Sequence, residues 1–290
     1  MPRLRAIAGL REVAADYDGF ILDLWGLVHD GATPYPPSRD TFLALKAAGK
    51  KTLLLSNAPR RAYALVEAMT KMGLERALYG EVLSSGEAVN QALIRRDDAF
   101  FQTLGRRCYH LGPPRDQSVF DNTGLEITRD LASADFVLNT GPGELHETVD
   151  TYEPVLQAAA KLNLPMVCAN PDLVVLRAGN AVVCAGALAK RYADLGGKVA
   201  YRGKPDPAIY HLAVAQLGLP AKRIAVVGDA LETDVKGANA AGLDSVWCTG
   251  GIHAAALGTS YGTAADPGKA YTLASAEGQM PTVIIPGFYW

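Results

Sequence analysis

The stretch FILDLWGLVHDG (residues 20–31) decides the fold class of this chain. It begins with a short apolar run, residues 20–22, which is typical of a fully buried strand, and it turns polar at Asp23 before a glycine interrupts it. We therefore predict that Asp23 lies at the carboxyl end of a strand. In open α/β sheets ligands bind outside these ends, where a carboxylate can bind a cation or attack an electrophile. The alternative for this segment alone is an aspartate that ends a strand and caps a turn.

Composition places the chain among ordinary globular proteins. It has 290 residues, 49% of them hydrophobic and 20% charged, which is long enough for two domains with their own cores. Lys and Arg number 28 against 30 Asp and Glu, so the basic excess that a nucleic-acid backbone or an anionic membrane calls for is missing. We therefore expect neither nucleic acid nor a membrane as a partner.

Two further features bear on the compartment. No apolar run reaches the roughly 18 to 20 residues that span a bilayer, and residues 1–19 carry acids where a signal peptide has its apolar core. We expect a cytoplasmic protein. The cysteines Cys108, Cys168, Cys184 and Cys248 lie far apart without CxxC spacing, which favours buried free thiols over a zinc site or a disulfide framework.

The segment that follows the first strand predicts a second parallel strand beside it. A helix over residues 38–48 stops at a glycine, and residues 51–57 form an apolar run that ends in Ser56 and Asn57. A strand, a helix and a strand in this order imply parallel neighbours joined by a right-handed crossover. We expect Ser56 and Asn57 to lie beside Asp23. Further helices are predicted from Pro59 to about residue 72 and over residues 87–101.

The middle and the end of the chain repeat this α/β pattern. Strands are predicted at residues 108–111, 135–139 and 165–169 and a helix at 149–162, which together indicate a separate α/β unit. The loop at residues 141–143 lacks the third glycine of a dinucleotide-binding loop, so nucleotide binding there is disfavoured.

The pattern of the first unit then resumes. Residues 223–228 predict a strand that ends at Asp229, and Asp234 follows in the first turn of a helix. Residues 245–248 predict another strand, and the tail adds a helix and an edge strand.

The ends of the predicted strands carry a set of groups suited to a cation and a phosphate. Asp23, Asp229 and Asp234 are the oxygen ligands that Mg²⁺ prefers, while Lys204 and the Ser56 hydroxyl can hold phosphate oxygens. Each residue also has a structural interpretation, Ser56 as a cap, Lys204 as a solvated charge and Asp234 as an acid at a helix start. Their occurrence together in this order favours a common site.

Four stretches carry a family resemblance. They are FILDLWG (residues 20–26), LLLSNAP (53–59), YRGKPDPAIY (201–210) and VVGDALETDVKGANAAG (226–242). The chain resembles the haloacid dehalogenase (HAD) superfamily of phosphohydrolases, and within it the class II-A branch that holds pyridoxal phosphate, phosphoglycolate and p-nitrophenyl phosphate phosphatases. The resemblance implies an α/β fold, in which a Rossmann-like parallel-sheet core (residues 1–102 and 199–290) carries an inserted α/β cap (103–198).

The resemblance also implies roles for single residues. Asp23 would be the nucleophile that forms an aspartyl-phosphate. The cofactor would be Mg²⁺, bound by Asp23, Asp229 and the backbone carbonyl of Trp25, with Asp234 supporting these ligands. The phosphoryl group would be held by Ser56, Asn57 and Lys204, and the loop of Asn170 and Asp172 would face the substrate from the cap.

One position departs from the family pattern. Phosphatases of this superfamily carry a second aspartate two residues after the nucleophile, which protonates the leaving oxygen and then activates water, and here that position is Trp25. An indole donates one N–H and does not exchange protons at neutral pH. The general acid–base factor, on the order of 10² to 10⁴ in rate, is therefore expected to be missing or supplied from elsewhere.

Three functions are compatible with this departure. The first is a Mg²⁺-dependent phosphatase whose leaving group departs unprotonated, or in which His29, Asp30 or Glu232 replaces the missing aspartate. The second is a dehalogenase-type hydrolase, which resembles this chain in its aromatic residue but needs no metal. The third is a catalytically weak or inactive protein that binds a phosphorylated metabolite.

Substrate and assembly are predicted only in outline. Contacts from Asn170, Asp172, His146 and Arg177 would select the substrate, and a polar loop suits a small phosphorylated metabolite such as a sugar phosphate. Caps of this branch pair across two-fold axes, so the resemblance implies a homodimer.

Overall fold

The computed structural model describes residues 2–177 and 180–290. Its strands are β1 (Gly19–Leu22), β2 (Lys51–Ser56), β3 (Glu81–Ser84), β4 (Arg107–Leu111), β5 (Glu126–Thr128), β6 (Phe136–Asn139), β7 (Met166–Cys168), β8 (Val174–Arg177), β9 (Asn180–Val183), β10 (Val199–Tyr201), β11 (Ile224–Gly228), β12 (Asp244–Cys248) and β13 (Val283–Ile285). Its α-helices are α1 (Ser38–Ala47), α2 (Ala62–Lys71), α3 (Ser85–Arg95), α4 (Ala99–Gln102), α5 (Val149–Lys161), α6 (Ala185–Asp194), α7 (Pro207–Leu217), α8 (Lys236–Ala240), α9 (Ala254–Leu257) and α10 (Pro267–Ala276).

The first sheet is a parallel α/β sheet built from both ends of the chain. Its strand order is β13-β12-β11-β1-β2-β3, and every pairing in it is parallel. Each residue of β1 and β11 is buried, because helices cover both faces of the sheet. The predicted Rossmann-like fold class is confirmed, and β1 lies at the centre between β11 and β2.

A second parallel sheet is formed by the middle of the chain, between the two sequence segments that build the first sheet. Its order is β10-β7-β6-β4-β5, and apolar clusters that include Phe136, Leu138 and Tyr192 pack on its faces. The predicted cap range 103–198 ends just before β10, whereas β10 pairs with β7 in this second sheet. Strand β10 itself was not predicted, because a short strand preceded by two glycines gave no clear signal.

The structure corrects several predicted elements. The helix predicted over residues 87–101 is two helices, because Arg96 adopts a left-handed conformation and the Asp98 side chain caps α4 by accepting hydrogen bonds from the backbone of Phe100 and Phe101. The helix expected from Pro59 begins only at α2, after a loop that contacts the second unit through Arg61 and Ser118.

Other elements agree with the sequence pattern or add to it. The predicted tail helix and edge strand are α10 and β13. The antiparallel hairpin of β8 and β9 was not predicted, and it pairs with no other described strand. All four cysteines are buried free thiols, as expected. Within the described ranges, no helix has the length and apolarity that crossing a membrane requires.

Candidate active site

The strand order of the first sheet brings the predicted site residues together. Asp23 follows β1, Ser56 ends β2 and Asp229 follows β11, and these three strands are direct neighbours. Because parallel strands present their carboxyl ends at the same edge, all three side chains lie at one edge of the sheet. Because β1 pairs with β2, Ser56 and Asn57 lie at the same edge of the sheet as Asp23, where the sequence placed them.

Three buried carboxylates form the centre of the site. Asp23, Asp229 and Asp234 each offer an oxygen within 4.8 Å of the others. Asp234 lies in a π-helical turn, Leu231–Val235, rather than in the first turn of an ordinary α-helix as predicted. Hard oxygen donors at this spacing fit a divalent cation such as Mg²⁺.

Lys204 links two of these carboxylates. Its ammonium donates to Asp23 Oδ1 at 2.6 Å and to Asp234 Oδ1 at 2.7 Å, and its side chain is 3% exposed. Burial alone would lower the pKa of Lys204, but the negative charges of Asp23 and Asp234 raise it well above its usual value. Lys204 is therefore positively charged at neutral pH, and the alternative interpretation of Lys204 as a solvated loop charge does not hold.

The Lys204 ammonium compensates only part of the negative charge of Asp23 and Asp229. Burial raises the pKa of Asp23 to about 7, while the nearby ammonium of Lys204 opposes this rise. Burial, together with the charges of Asp23 and Asp234, also raises the pKa of Asp229 well above its usual value. A divalent cation between these oxygens would remove the repulsion, so the charge state of the site fits Mg²⁺.

Two glycines and two hydrogen bonds hold Asp229 in place. A Cβ at Gly26, where φ is +81°, would lie 2.0 Å from Asp229 Oδ2, and one at Gly251 would lie 2.1 Å from the same atom. The backbone N–H of Ile252 donates to Oδ2 at 2.7 Å, and the Trp247 indole donates to the Asp229 carbonyl at 2.9 Å. The carboxylate therefore has one preferred orientation.

Asn57 is a connecting residue between three parts of the chain. Its amide donates to Asp172 Oδ1 at 2.8 Å and to the Lys204 carbonyl at 3.0 Å, and its oxygen accepts from the Lys204 N–H at 2.7 Å. These partners fix the loop that carries Lys204. Ser56 Oγ accepts only from the Ala58 N–H at 3.2 Å among the bonds described, so its hydroxyl proton can be donated to a ligand.

A cavity of about 550 Å³ opens onto this edge, between the two sheets. The predicted residues that line it are Asp23, Trp25, Asp30, Ser56, Asn57, Asn170, Asp172, Arg177, Lys204, Asp229 and Asp234. His29, His146 and Glu232 are not among the lining residues, and His146 is exposed. A cavity of this size is in the range of small-molecule sites.

Trp25 uses its one polar atom to contact the second unit. Its indole N–H donates to the backbone carbonyl of Leu176 in β8 at 2.5 Å. The ring meets His29 edge-on, with centroids 5.6 Å apart, and lies directly over Gly31. The indole, two residues after Asp23, therefore uses its single N–H in a contact with β8, and it cannot exchange a proton at neutral pH.

The three predicted substitutes for the missing acid do not suit that role at neutral pH. Burial lowers the pKa of His29 to about 4. Burial acts to raise the pKa of Asp30, but hydrogen bonds from Thr33 and Ala32 lower it overall. A hydrogen bond with His253 lowers the pKa of Glu232. His29 is therefore a neutral imidazole and the two carboxyl groups are ionised, so none of the three is in the protonated form that a general acid needs.

Sequence reasoning missed a pair of charged side chains, Arg60 and Asp116, in the wall of the cavity. Arg60 Nε lies 3.7 Å from Asp116 Oδ1, and both residues line the cavity with Arg115 and Thr140. Burial raises the pKa of Asp116, while the guanidinium groups of Arg60 and Arg115 oppose the rise. No local pattern joins these positions, and the only sequence signal is the pair of arginines, residues 60 and 61, directly after the second motif.

Comparisons with known proteins agree with this geometry. A haloacid dehalogenase-like hydrolase model matches residues 20–126, and a HAD-hydrolase-like model matches residues 201–273. Mouse chronophin is 27% identical over 278 residues, covering 90% of each chain.

Solved structures extend the likeness over the whole chain. A haloacid dehalogenase-like hydrolase from Brucella suis is 30% identical with a TM-score of 0.83, covering 97% of this chain and 99% of that one. A glycerol phosphate phosphatase from Mycobacterium tuberculosis, solved with magnesium, is 25% identical with a TM-score of 0.64, covering 84% and 71%. The chain belongs to the haloacid dehalogenase superfamily of hydrolases, as a phosphatase-like member of its class II-A branch.

Proposed function

We propose that this protein is a Mg²⁺-dependent phosphatase that cleaves a small phosphorylated metabolite through an aspartyl-phosphate at Asp23. The observation that carries the proposal is the contact of Asp23 with the Lys204 ammonium, at 2.6 Å, beside the carboxylates of Asp229 and Asp234. The ammonium orients one carboxylate oxygen, which leaves the other for attack on phosphorus. The magnesium complex of the related glycerol phosphate phosphatase supports the choice of metal.

The residues act as follows in the proposed reaction. The Asp23 carboxylate forms a bond to phosphorus, and the bond to the leaving oxygen breaks. Lys204 and the Ser56 hydroxyl donate to phosphoryl oxygens, while Asn57 holds the Lys204 loop. Water then attacks the aspartyl-phosphate and releases inorganic phosphate.

Magnesium has a defined set of candidate ligands in this proposal. Asp23, Asp229 and the backbone carbonyl of Trp25 would hold it, with Asp234 in support. When bound, the ion neutralises charge on the carboxylates and on the phosphoryl group.

The missing acid restricts the leaving group. Trp25 cannot protonate the departing oxygen, and at neutral pH none of His29, Asp30 and Glu232 is in its protonated, acidic form. We therefore propose that substrates with acidic leaving groups, such as acyl or aryl phosphates, react faster than alkyl esters. Asn170 and Asp172 line the cavity and would contact the hydroxyl groups of a sugar or polyol phosphate.

A second candidate function is binding of a phosphorylated metabolite with little or no turnover. The observation that favours it is the indole of Trp25, whose N–H is fully used by Leu176. A dehalogenase-type reaction is disfavoured by Asp229 and Asp234, since that reaction needs no metal cluster.

Phosphate release tests these alternatives directly. We would assay acetyl phosphate, p-nitrophenyl phosphate and glycerol phosphate with and without Mg²⁺. We expect Mg²⁺-dependent turnover that is fastest on acetyl phosphate and is lost in Asp23→Asn. The matched control is Asp18→Asn, because Asp18 precedes the same strand at its opposite end, where it pairs with Arg223 at 2.8 Å.

The outcomes separate the candidates. Turnover without Mg²⁺ would contradict the metal-dependent mechanism. No turnover on any compound, together with measurable Mg²⁺ binding, would replace the phosphatase proposal with the binding function.

We also propose an organisation into a core and a cap. Residues 1–102 and about 202–290 would form the core, and the inserted sheet that ends with β10 would form the cap. A homodimer is proposed from the family resemblance, and light scattering would test it.

A further inference from the structure

The hairpin of β8 and β9 forms part of the wall of the active-site cavity. Val174, Leu176, Val182 and Val183 belong to the lining, so the hairpin faces the edge of the first sheet. A change in the position of this hairpin would open or close the cavity directly.

The hairpin has little support of its own. It pairs with no other strand among the described residues, and two-stranded hairpins in water are marginally stable at best. At its base the Cys184 N–H donates to the Leu173 carbonyl at 2.9 Å, and the Gly186 N–H donates to the Asp172 carbonyl at 3.0 Å. These two bonds tie the base of the hairpin to the loop that carries Asp172.

The core side supplies that contact through Trp25. The indole N–H bonds the carbonyl of Leu176, which lies 151 positions away in the sequence. The carbonyl belongs to the main chain, so the bond fixes the strand itself rather than a mobile side chain.

The indole is itself firmly seated. Gly31 has a φ of +86°, and a Cβ there would lie 2.1 Å from Trp25 Cζ2, so the ring fits only over a glycine. His29, which is buried, meets the Trp25 ring edge-on, and its Nδ1 accepts a hydrogen bond from the Gly31 N–H at 3.0 Å. The loop after β1 is therefore built around this ring.

We infer that Trp25 is a positioning residue, whose indole N–H holds the β8–β9 hairpin in place over the active-site cavity. The residue that stands in place of the usual acid–base aspartate thus has a function of its own, which is to anchor the hairpin to the core. The consequence for catalysis, which rests on the proposed phosphatase function, is that Trp25 raises affinity for the substrate rather than the rate of the chemical step.

Hydrogen exchange tests the inference without any substrate. In Trp25→Phe the ring remains but the N–H donor is lost, and one hydrogen bond of ordinary strength corresponds to about a fivefold change in an opening equilibrium. We expect the amides of residues 174–177 and 180–183 to exchange about fivefold faster, with the β1 and β11 amides unchanged. Equal exchange in wild type and variant would overturn the inference.

Two further variants make the test specific. Gly31→Ala keeps Trp25 but displaces its ring, and it is expected to raise exchange in the same hairpin. Tyr63→Phe is the matched control, because it removes a different bond between the two units, from the Tyr63 hydroxyl to Asp121 Oδ2 at 2.7 Å. The control is expected to leave hairpin exchange unchanged, and an equal rise there would mean that the cap loosens as a whole.

Kinetics distinguish positioning from chemistry. With p-nitrophenyl phosphate as the probe, Trp25→Phe is expected to raise KM about fivefold with little change in kcat. A fall in kcat at constant KM would assign Trp25 to the chemical step instead. If wild type shows no turnover, the proposed function fails while the exchange result still decides this inference.

Discussion

At the scale of single residues, Lys204 determines whether two buried carboxylates can coexist. Its ammonium contacts both Asp23 and Asp234 at hydrogen-bond distance, and all three side chains are buried. Removing one partner of a buried ion pair leaves an uncompensated charge, which costs far more than the net contribution of the pair itself.

We predict that Lys204→Gln abolishes phosphatase activity and destabilises the metal-free protein by about 3 kcal/mol at pH 8. Urea denaturation measures the stability change, and Mg²⁺ is expected to restore part of it. Lys190→Gln is the control, because Lys190 forms an exposed pair with Asp194 at 3.1 Å, and such pairs contribute about 0.5 kcal/mol or less. Equal effects of the two substitutions would contradict the argument.

The position of Trp25 predicts a gain of function. Trp25→Asp restores a group that can protonate the leaving oxygen, so we expect turnover of alkyl phosphate esters to rise by a factor on the order of 10² to 10⁴. Acetyl phosphate should gain little, because its leaving group needs no proton. The double variant with Asp23→Asn should be inactive, and an unchanged ester rate in Trp25→Asp would show that the acid is supplied elsewhere.

The residues of the site were predictable to different degrees. Asp23, Ser56 and Asp229 each end a buried apolar run, so strand periodicity and the rule for parallel sheets place them at one edge. The contact between Trp25 and Leu176 was not predictable, because it depends on how the second unit sits on the first.

At the scale of elements, the buried apolar strands were predicted well whatever their length, whereas the β8–β9 hairpin, strand β10 and the bounds of some helices were not. Helix α5 and strand β2 have strong apolar patterns, and the predicted bounds agree with the structure within one or two residues. The hairpin of β8 and β9 was missed, although two runs rich in valine around a short glycine-containing segment are typical of one.

The loop after β12 predicts an effect on metal affinity. In Gly251→Ala the new Cβ would meet Asp229 Oδ2 at 2.1 Å and displace the carboxylate. Because groups that orient a ligand typically contribute 10- to 100-fold in metal affinity, we expect Mg²⁺ binding to weaken by about tenfold or more. Titration calorimetry measures the affinity.

The control for that variant is Gly268→Ala, whose Cβ would meet only Asp266 Oδ1, at 3.1 Å. It changes the same residue type far from the carboxylates. If Gly251→Ala binds Mg²⁺ as tightly as wild type does, Asp229 is not a metal ligand.

At the scale of the whole molecule, the site belongs to neither sheet alone. Asp23, Asp229 and Asp234 follow strands of the first sheet, whereas Lys204 follows β10 and Asp172 follows β7 of the second sheet. The hairpin of β8 and β9 adds to the wall of the same cavity. The sequence predicted two α/β units from the restart of the pattern. Their mutual placement follows from contacts such as Arg60 with Asp116, which no periodicity encodes.

Because the Asp23 carboxyl is buried, the free energy of unfolding of the metal-free protein depends on pH. Burial raises the pKa of Asp23 from its usual 3.8 to about 7. Between these values the folded protein keeps a proton that the unfolded chain has lost. The stability contributed by this group is therefore fully present below about pH 4, and it is lost as the pH rises through about 7.

Magnesium should reverse that loss, because it binds the ionised carboxylates and binds the unfolded chain weakly. We predict that saturating Mg²⁺ raises the Tm strongly at pH 8 and little at pH 5, where protons compete for the same oxygens. Thermal unfolding at both pH values, with and without Mg²⁺, measures the difference, and Asp229→Asn should reduce the shift at pH 8. An equal Mg²⁺ shift at the two pH values would mean that the ion binds outside the carboxylate cluster, since only there does protonation oppose it.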